Sequence, residues 1–252
     1  MRRPERFEWA IVTVTAAVLA AAMPLQAGYL GWSWDALNHH VYLGLTAEGP
    51  RWELDVNPAS VQTYQFPYLY WPVYLLSQWP GRPSVAAALW SGFQAAAVAL
   101  PIWLISYRLL PTLPSRFENL ALRVLACASA FMSQFILAGI ETTTNDLLAC
   151  VPLLWAIAIS LHPAFDDRRS FAAAALWGMA TAFKFSNGLF LPWLLLWWYR
   201  SFHPHWPPKR GLMLVAGAAL GFGVTYAAWG WQLWQVTGNP FHPFFAAIFA
   251  RG

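Results

Sequence analysis

Apolar residues run almost unbroken for long stretches of this chain, and short polar turns separate the runs. Stretches at about 9–27, 84–107, 118–140, 146–162 and 211–234 are long enough for helices that cross a bilayer, which takes roughly 20 residues. A further tract, 171–199, is interrupted by the polar island Lys184-Phe185-Ser186-Asn187-Gly188. As one straight helix it would be about 43 Å long, well beyond a hydrocarbon core of about 30 Å. Split at the island, it gives two arms, 171–183 and 188–199, each about 20 Å long and too short to cross unaided. The pattern predicts an all-α fold: one polytopic membrane helical bundle over residues 1–252, with a short-helix hairpin carrying Lys184 and a large first extracytoplasmic loop, 28–83.

Composition agrees with a membrane setting. The chain is 58% hydrophobic and 10% charged, against about 25% charged in soluble domains. Its 17 Trp, 9 Tyr and 19 Pro suit interfacial aromatics and broken helices. Cys127 and Cys150 fall inside predicted spans and read as small buried hydrophobes, with no disulfide framework implied. No internal repeat, separate soluble domain or nucleic-acid signature is present. The basic start, Met1-Arg2-Arg3-Pro4-Glu5-Arg6, precedes an apolar run long for a signal peptide, so a retained anchor is expected.

Charge decides how the interrupted tract is laid out. A hairpin entering and leaving on the cytoplasmic side leaves only Arg51, Arg82, Lys184 and Arg251 on the far side. A single crossing would move Arg200, Lys209 and Arg210 outward and weaken the bias that holds basic residues in the cytoplasm. The hairpin is therefore preferred, with the N-terminus cytoplasmic. The connectors 166–169 and 203–209 read as solvated turns. Asp35, His39, His40, Glu53, Asp55, Asn57, Glu141, Asn145, Asp146, Lys184, Asn187, Asn239 and His242 then share the outer face.

That one-sidedness is the clearest physical pointer to function. A cation at membrane depth is costly unless it lines a cavity or meets an anion. An outer pocket with carboxylates, a lysine floor and an aromatic stretch (64–74) read as interfacial helices suits an amphiphilic substrate. Lys184 would bind a lipid phosphate and a carboxylate would deprotonate an incoming hydroxyl. Plainer roles stand beside these. Asp35 is a favoured helix cap, Lys184 a residue able to snorkel, Asp146 a charge suited to a helix N-terminus, and Asn239-Pro240 and His242-Pro243 helix stops. Adjacent histidines do not share a helix face, so His39-His40 alone predict no metal site.

Three segments in order, Trp34-Asp35-Ala36-Leu37-Asn38-His39-His40, Lys184-Phe185-Ser186-Asn187-Gly188 and Thr237-Gly238-Asn239-Pro240-Phe241-His242-Pro243-Phe244-Phe245, resemble motifs of the C-type glycosyltransferases. These are polytopic enzymes using polyprenyl-phosphate-linked sugars. The resemblance implies a bacterial inner-membrane protein that transfers a sugar from such a donor to an acceptor on the extracytoplasmic face. It implies Asp35 as the base, Asp55 or Glu53 near sugar or acceptor, and Lys184 on the donor phosphate. His39, His40, Asn187, Asn239 and His242 are expected around the substrates. Loop carboxylates are hard ligands compatible with a divalent cation, but nothing requires one. Expected partners are the lipid-linked donor and membrane lipids, with no nucleic acid. Two departures, a second loop with Asn145-Asp146 in place of a paired-acid motif and fewer spans than the family has, leave a shortened relative, a fragment and an inactive scaffold all open, and the short chain with its apolar, aromatic stretch Phe241–Phe249 favours an alternative. In it the chain is a shortened, inactive scaffold serving as accessory subunit of a larger membrane complex. A small transporter fits less well, because the ionisable residues gather at one face.

Overall fold

A computed structural model describes residues 6–31, 33–55, 58–163, 165–202 and 208–249. Arg2, Arg3, Asn57, Arg251 and the connector 203–207 lie outside the described residues. All regular structure in the described residues is helical. The order is α1 (Arg6–Ala27), α2 (Val41–Thr46), α3 (Trp71–Ser77), α4 (Pro83–Leu109), α5 (Arg116–Phe131), α6 (Gln134–Glu141), α7 (Asp146–Ser160), α8 (Asp167–Phe183), α9 (Leu191–Phe202), α10 (Pro208–Thr237) and α11 (Ala246–Phe249). Short π- and 3-10-helical turns at Ala36–His40, Ser60–Tyr64 and Phe185–Phe190 join them. Among the described residues three helices are long and apolar enough to cross a membrane, Phe7–Ala27, Pro83–Leu109 and Lys209–Thr237, or four if a bent helix pair counts as one span.

The stretch expected as one span over 118–140 is two helices, α5 and α6, bent by 64°. The cause is local. Ser133 takes an extended backbone and its Oγ accepts from Ile136 N, which starts a new helix in place of continuing the old one. Ser115 and Asp166 cap α5 and α8 in the same way, through Glu118 N and Arg169 N.

Beyond α6 the chain is non-helical from Thr142 to Asn145, and here α4 supports it. Gln94 donates to the Gly139 carbonyl (3.0 Å), Ser91 to Ile140 (2.8 Å) and Trp90 to Thr142 (3.0 Å), while Gly31 N reaches Glu141 (2.6 Å). A helix C-terminus leaves four carbonyls without intrahelical partners. Three donors from one face of α4 and one backbone amide take up four consecutive carbonyls here. Gln94 and Ser91 are fully buried, and so is the Trp90 ring.

Helices α8 and α10 pack through small residues. A side chain at Gly178 would meet the Ala218 backbone, and one at Gly221 the Ala175 backbone. At Gly217 a Cβ would stand 2.5 Å from the Phe171 carbonyl. The helices run the same way, since Arg210 pairs with Asp167 at one end (2.5 Å) and Tyr226 meets Phe185 beyond the other. The break in the 171–199 tract falls where the sequence predicts it. Lys184 ends α8 in an extended conformation and a 3-10 turn leads into α9. Trp197 and Trp198 of α9 donate to Ser160, one to its carbonyl and the other to its hydroxyl, at the end of α7.

Close backbone approach makes the α8–α10 contact intolerant of volume. Gly221→Ala is expected to destabilise by about 1–3 kcal/mol, the usual cost of overpacking, read as a lower thermal midpoint in detergent. Gly223→Ala, with open space around its Cβ, should leave the midpoint within error.

Candidate functional site

The first-loop turn, the α6–α7 connector, the α8 break and the Asn239–Phe245 loop meet at one end of the bundle around a cavity of about 340 Å³. Asp35, His39, His40, Asp146, Lys184 and His242 line it, with Tyr70, Tyr64, Gln62 and Gln65 from the first loop.

Lys184 is half-exposed and forms an ion pair with Asp146, the first residue of α7. The sequence calls for an anion beside this lysine and offers Asp146 both a helix-end charge and a site role, without pairing the two. The usable signal is the order of the apolar runs: Asp146 opens one on the side where, in the predicted layout, the run before Lys184 ends. The α8 break itself is pinned by Asn187, which is 4% exposed. Its Nδ2 donates to the carbonyls of Ala149 and Ala180, both at 3.0 Å, and its own carbonyl accepts from Trp177 (3.2 Å). Asn187 therefore fixes the turn that presents Lys184 and lies outside the cavity lining, where a substrate contact had been expected.

Asp35 is 55% exposed and makes no helix-capping bond. Ser33 does that work, accepting from Ala36 N at 3.0 Å, which leaves the Asp35 carboxylate to face His39 Nδ1 at 3.7 Å. His39 and His40 are both buried, at 4% and 3% exposure. The π-helical turn Ala36–His40 carries both rings inward, edge to face at 4.5 Å. His40 stacks on Tyr70 at 4.9 Å, and its Nδ1 lies 2.7 Å from Thr143 Oγ1. Burial, and then the neighbouring His39, hold the His40 imidazole down to about 4. Burial also lowers His39, opposed by the Asp35 carboxylate. Both rings are neutral at pH 7. Burial raises the Tyr70 phenol, so it remains a neutral hydroxyl.

The remaining expected site residues divide. His242 reaches the cavity and packs edge-on to Tyr64 at 4.4 Å. Asn239 does not line it. Its Oδ1 accepts from Phe241 N (2.9 Å) and its Nδ2 donates to the Phe244 carbonyl (2.7 Å), folding the loop that carries His242. Glu53 and Asp55 are also outside the lining. Asp55 accepts from the Tyr42 hydroxyl (3.3 Å) and pairs with Arg51 (3.4 Å), and burial, followed by the Asp55 charge, pushes the Tyr42 phenol up to about 12. Within the aromatic stretch Phe66 and Tyr70 are buried, with Phe66 packed on Phe183 and Tyr226, while Trp71 is exposed. Among the described residues no three His, Cys, Asp or Glu side chains are grouped to hold a metal ion.

The lining combines an exposed carboxylate, a paired ammonium, neutral imidazoles, aromatic rings and two glutamine amides. It can accept a proton at Asp35 and donate hydrogen bonds from Lys184 to an anionic oxygen.

The buried histidines make the fold acid-sensitive. An unfolded chain takes up the His40 proton near 6.5, whereas the folded chain refuses it until about 4, so stability falls as pH drops through that window. The thermal midpoint of wild type is expected to fall from pH 6.5 to 4 more steeply than that of His40→Gln, measured in the same detergent.

Compared with models of known protein families, with curated proteins and with solved structures, the chain matches none.

Proposed function

We propose that this cavity is the site of a membrane glycosyltransferase that moves a sugar from a polyprenyl-phosphate donor to a hydroxyl acceptor on the extracytoplasmic face. The observation that carries the reading is that Asp35 and Lys184, far apart in sequence, line one cavity of about 340 Å³. Asp35 takes the acceptor proton as its oxygen attacks the anomeric carbon. The bond from that carbon to the phosphate oxygen breaks, and the electron pair leaves with the phosphate. Lys184 faces the departing oxygen, where charge builds up and a donor acts most strongly on the transition state. An ammonium has three donors, and Asp146 engages one while holding the group at the wall. Tyr64, His242, Gln62 and Gln65 offer ring faces and amides of the kind that sugars bind.

The membrane layout that goes with this reading puts the cavity at the outer surface, with α8 and α9 as a hairpin returning to the cytoplasmic side. The Trp197 and Trp198 bonds to Ser160 support it, because they draw the end of α9 back to the far end of α7. The bonded carbonyls at 139–142 support it too, since non-helical backbone at membrane depth needs protein partners.

A second reading draws on the Lys184–Asp146 pair. The ammonium already has an anion from within the chain, as suits an inactive scaffold that is an accessory subunit of a membrane complex. The two readings separate on turnover. With a panel of radiolabelled polyprenyl-phosphate hexoses and pentoses, wild type should consume at least one donor. Asp35→Asn should reduce that at least about 100-fold without a change in thermal midpoint. No consumption of any donor, with stoichiometric co-purification of one partner complex, is the outcome that favours the subunit.

The hairpin has its own test. Cysteines at the exposed positions Arg168 and Lys209 should both label from the cytoplasmic side, and one at Leu54, 74% exposed, from the outside. Labelling of 168 and 209 from opposite sides would remove the hairpin.

A further inference from the structure

We propose that His39 is a positioning residue for Asp35, holding one carboxylate oxygen so that the other is left to the acceptor hydroxyl. This rests on the glycosyl-transfer reading and adds to it a residue with a defined duty. His39 Nδ1 is buried and has no hydrogen-bond partner, an uncommon state for a polar atom in a folded interior. The group it faces is Asp35 Oδ1, 3.7 Å away. That is too long for a hydrogen bond, and a small rotation of the exposed Asp35 side chain closes it.

The rest of the ring is immobilised. His40 lies against it edge to face at 4.5 Å, and Tyr70 at 6.2 Å. His40 is in turn fixed by Thr143 at 2.7 Å and by stacking on Tyr70. The carboxylate is therefore the mobile partner and the imidazole the fixed one. We assign the proton to Nδ1, because a ring lone pair aimed at a carboxylate would be repelled. A neutral N–H orients Asp35 without cancelling its charge, which a base needs to retain. An imidazolium would bind the carboxylate more tightly and make it a poorer proton acceptor. The charged and titratable groups around the ring are Asp35, His40, Tyr70, Asp146 and Lys184, and burial keeps the imidazole neutral against the pull of the two carboxylates.

Substitution at 39 with steady-state kinetics on the donor that wild type consumes provides the test. His39→Phe keeps the flat ring and deletes both nitrogens, while His39→Asn keeps an N–H near the Nδ1 position. The Phe variant is expected to lose ~100-fold in kcat, the scale of a misplaced catalytic group, with donor and acceptor KM within about twofold and an unchanged thermal midpoint. The Asn variant should recover most of kcat. Should the Phe variant lose its thermal transition, His39→Gln, whose amide nitrogen lies nearer the Nε2 position, replaces it and should be as slow. Wild-type kcat in the Phe or Gln variant, a loss confined to KM, or an Asn variant no faster than these overturns the positioning duty while leaving the enzyme reading intact. A wild-type protein that consumes no donor removes the enzyme reading, and the duty of His39 with it.

Discussion

Everything at the polar end of this molecule depends on how four consecutive carbonyls, Gly139 to Thr142, find donors. The chain leaves helix α6 there and stays irregular until α7 begins at Asp146. In a hydrocarbon setting each unmet backbone group costs several kcal/mol. Trp90, Ser91 and Gln94 sit on one face of α4 and point their donors at this segment, and Gly31 N supplies the fourth bond. With those bonds made, the connector can present Thr143 to His40 and Asp146 to Lys184. The same contacts tie the first loop to the second, since Gly31 belongs to the approach to Asp35 and Glu141 to the approach to Asp146.

The break after α8 uses the same device with a different donor. Asn187 is buried and spends its amide on the carbonyls of Ala149 and Ala180. It locks a short turn onto α7 in place of touching a ligand. Asn239 does the equivalent for the last loop through Phe241 N and the Phe244 carbonyl. Of the four irregular segments that bound the cavity, three are thus held by side-chain amide or indole groups of the protein.

This division of labour explains what the sequence disclosed and what it hid. Run length and hydropathy locate α1, α4 and α10 closely, because an apolar run of that size has few ways to be accommodated. The break at Lys184 is legible for the same reason: a polar island in a tract too long to cross straight has to be turned. The bend at Ser133 is hidden, since one serine in an apolar run is equally at home within a helix or capping the next. Asp35, His39, His40, Lys184 and His242 come together at one cavity, an outcome consistent with their shared side in the predicted topology. Asn187, Asn239, Asp55 and Glu53 share that side too, but whether a side chain faces a cavity or its own backbone is set by local bonds that composition and spacing do not encode. The burial of Phe66 and Tyr70 is of the same kind, since interfacial and buried aromatics look alike until the partner surface of α8 and α10 is known.

The ion pair between Lys184 and Asp146 gives the lysine a counter-ion from within the chain. A half-exposed ammonium without a partner in the chain would carry its full charge into the cavity. Here the tethered carboxylate engages one of the three ammonium donors and partly neutralises the charge. The pair therefore sets a condition on any anion that comes near: it meets a cation already half neutralised, with a carboxylate beside it, and needs further contacts to offset that repulsion.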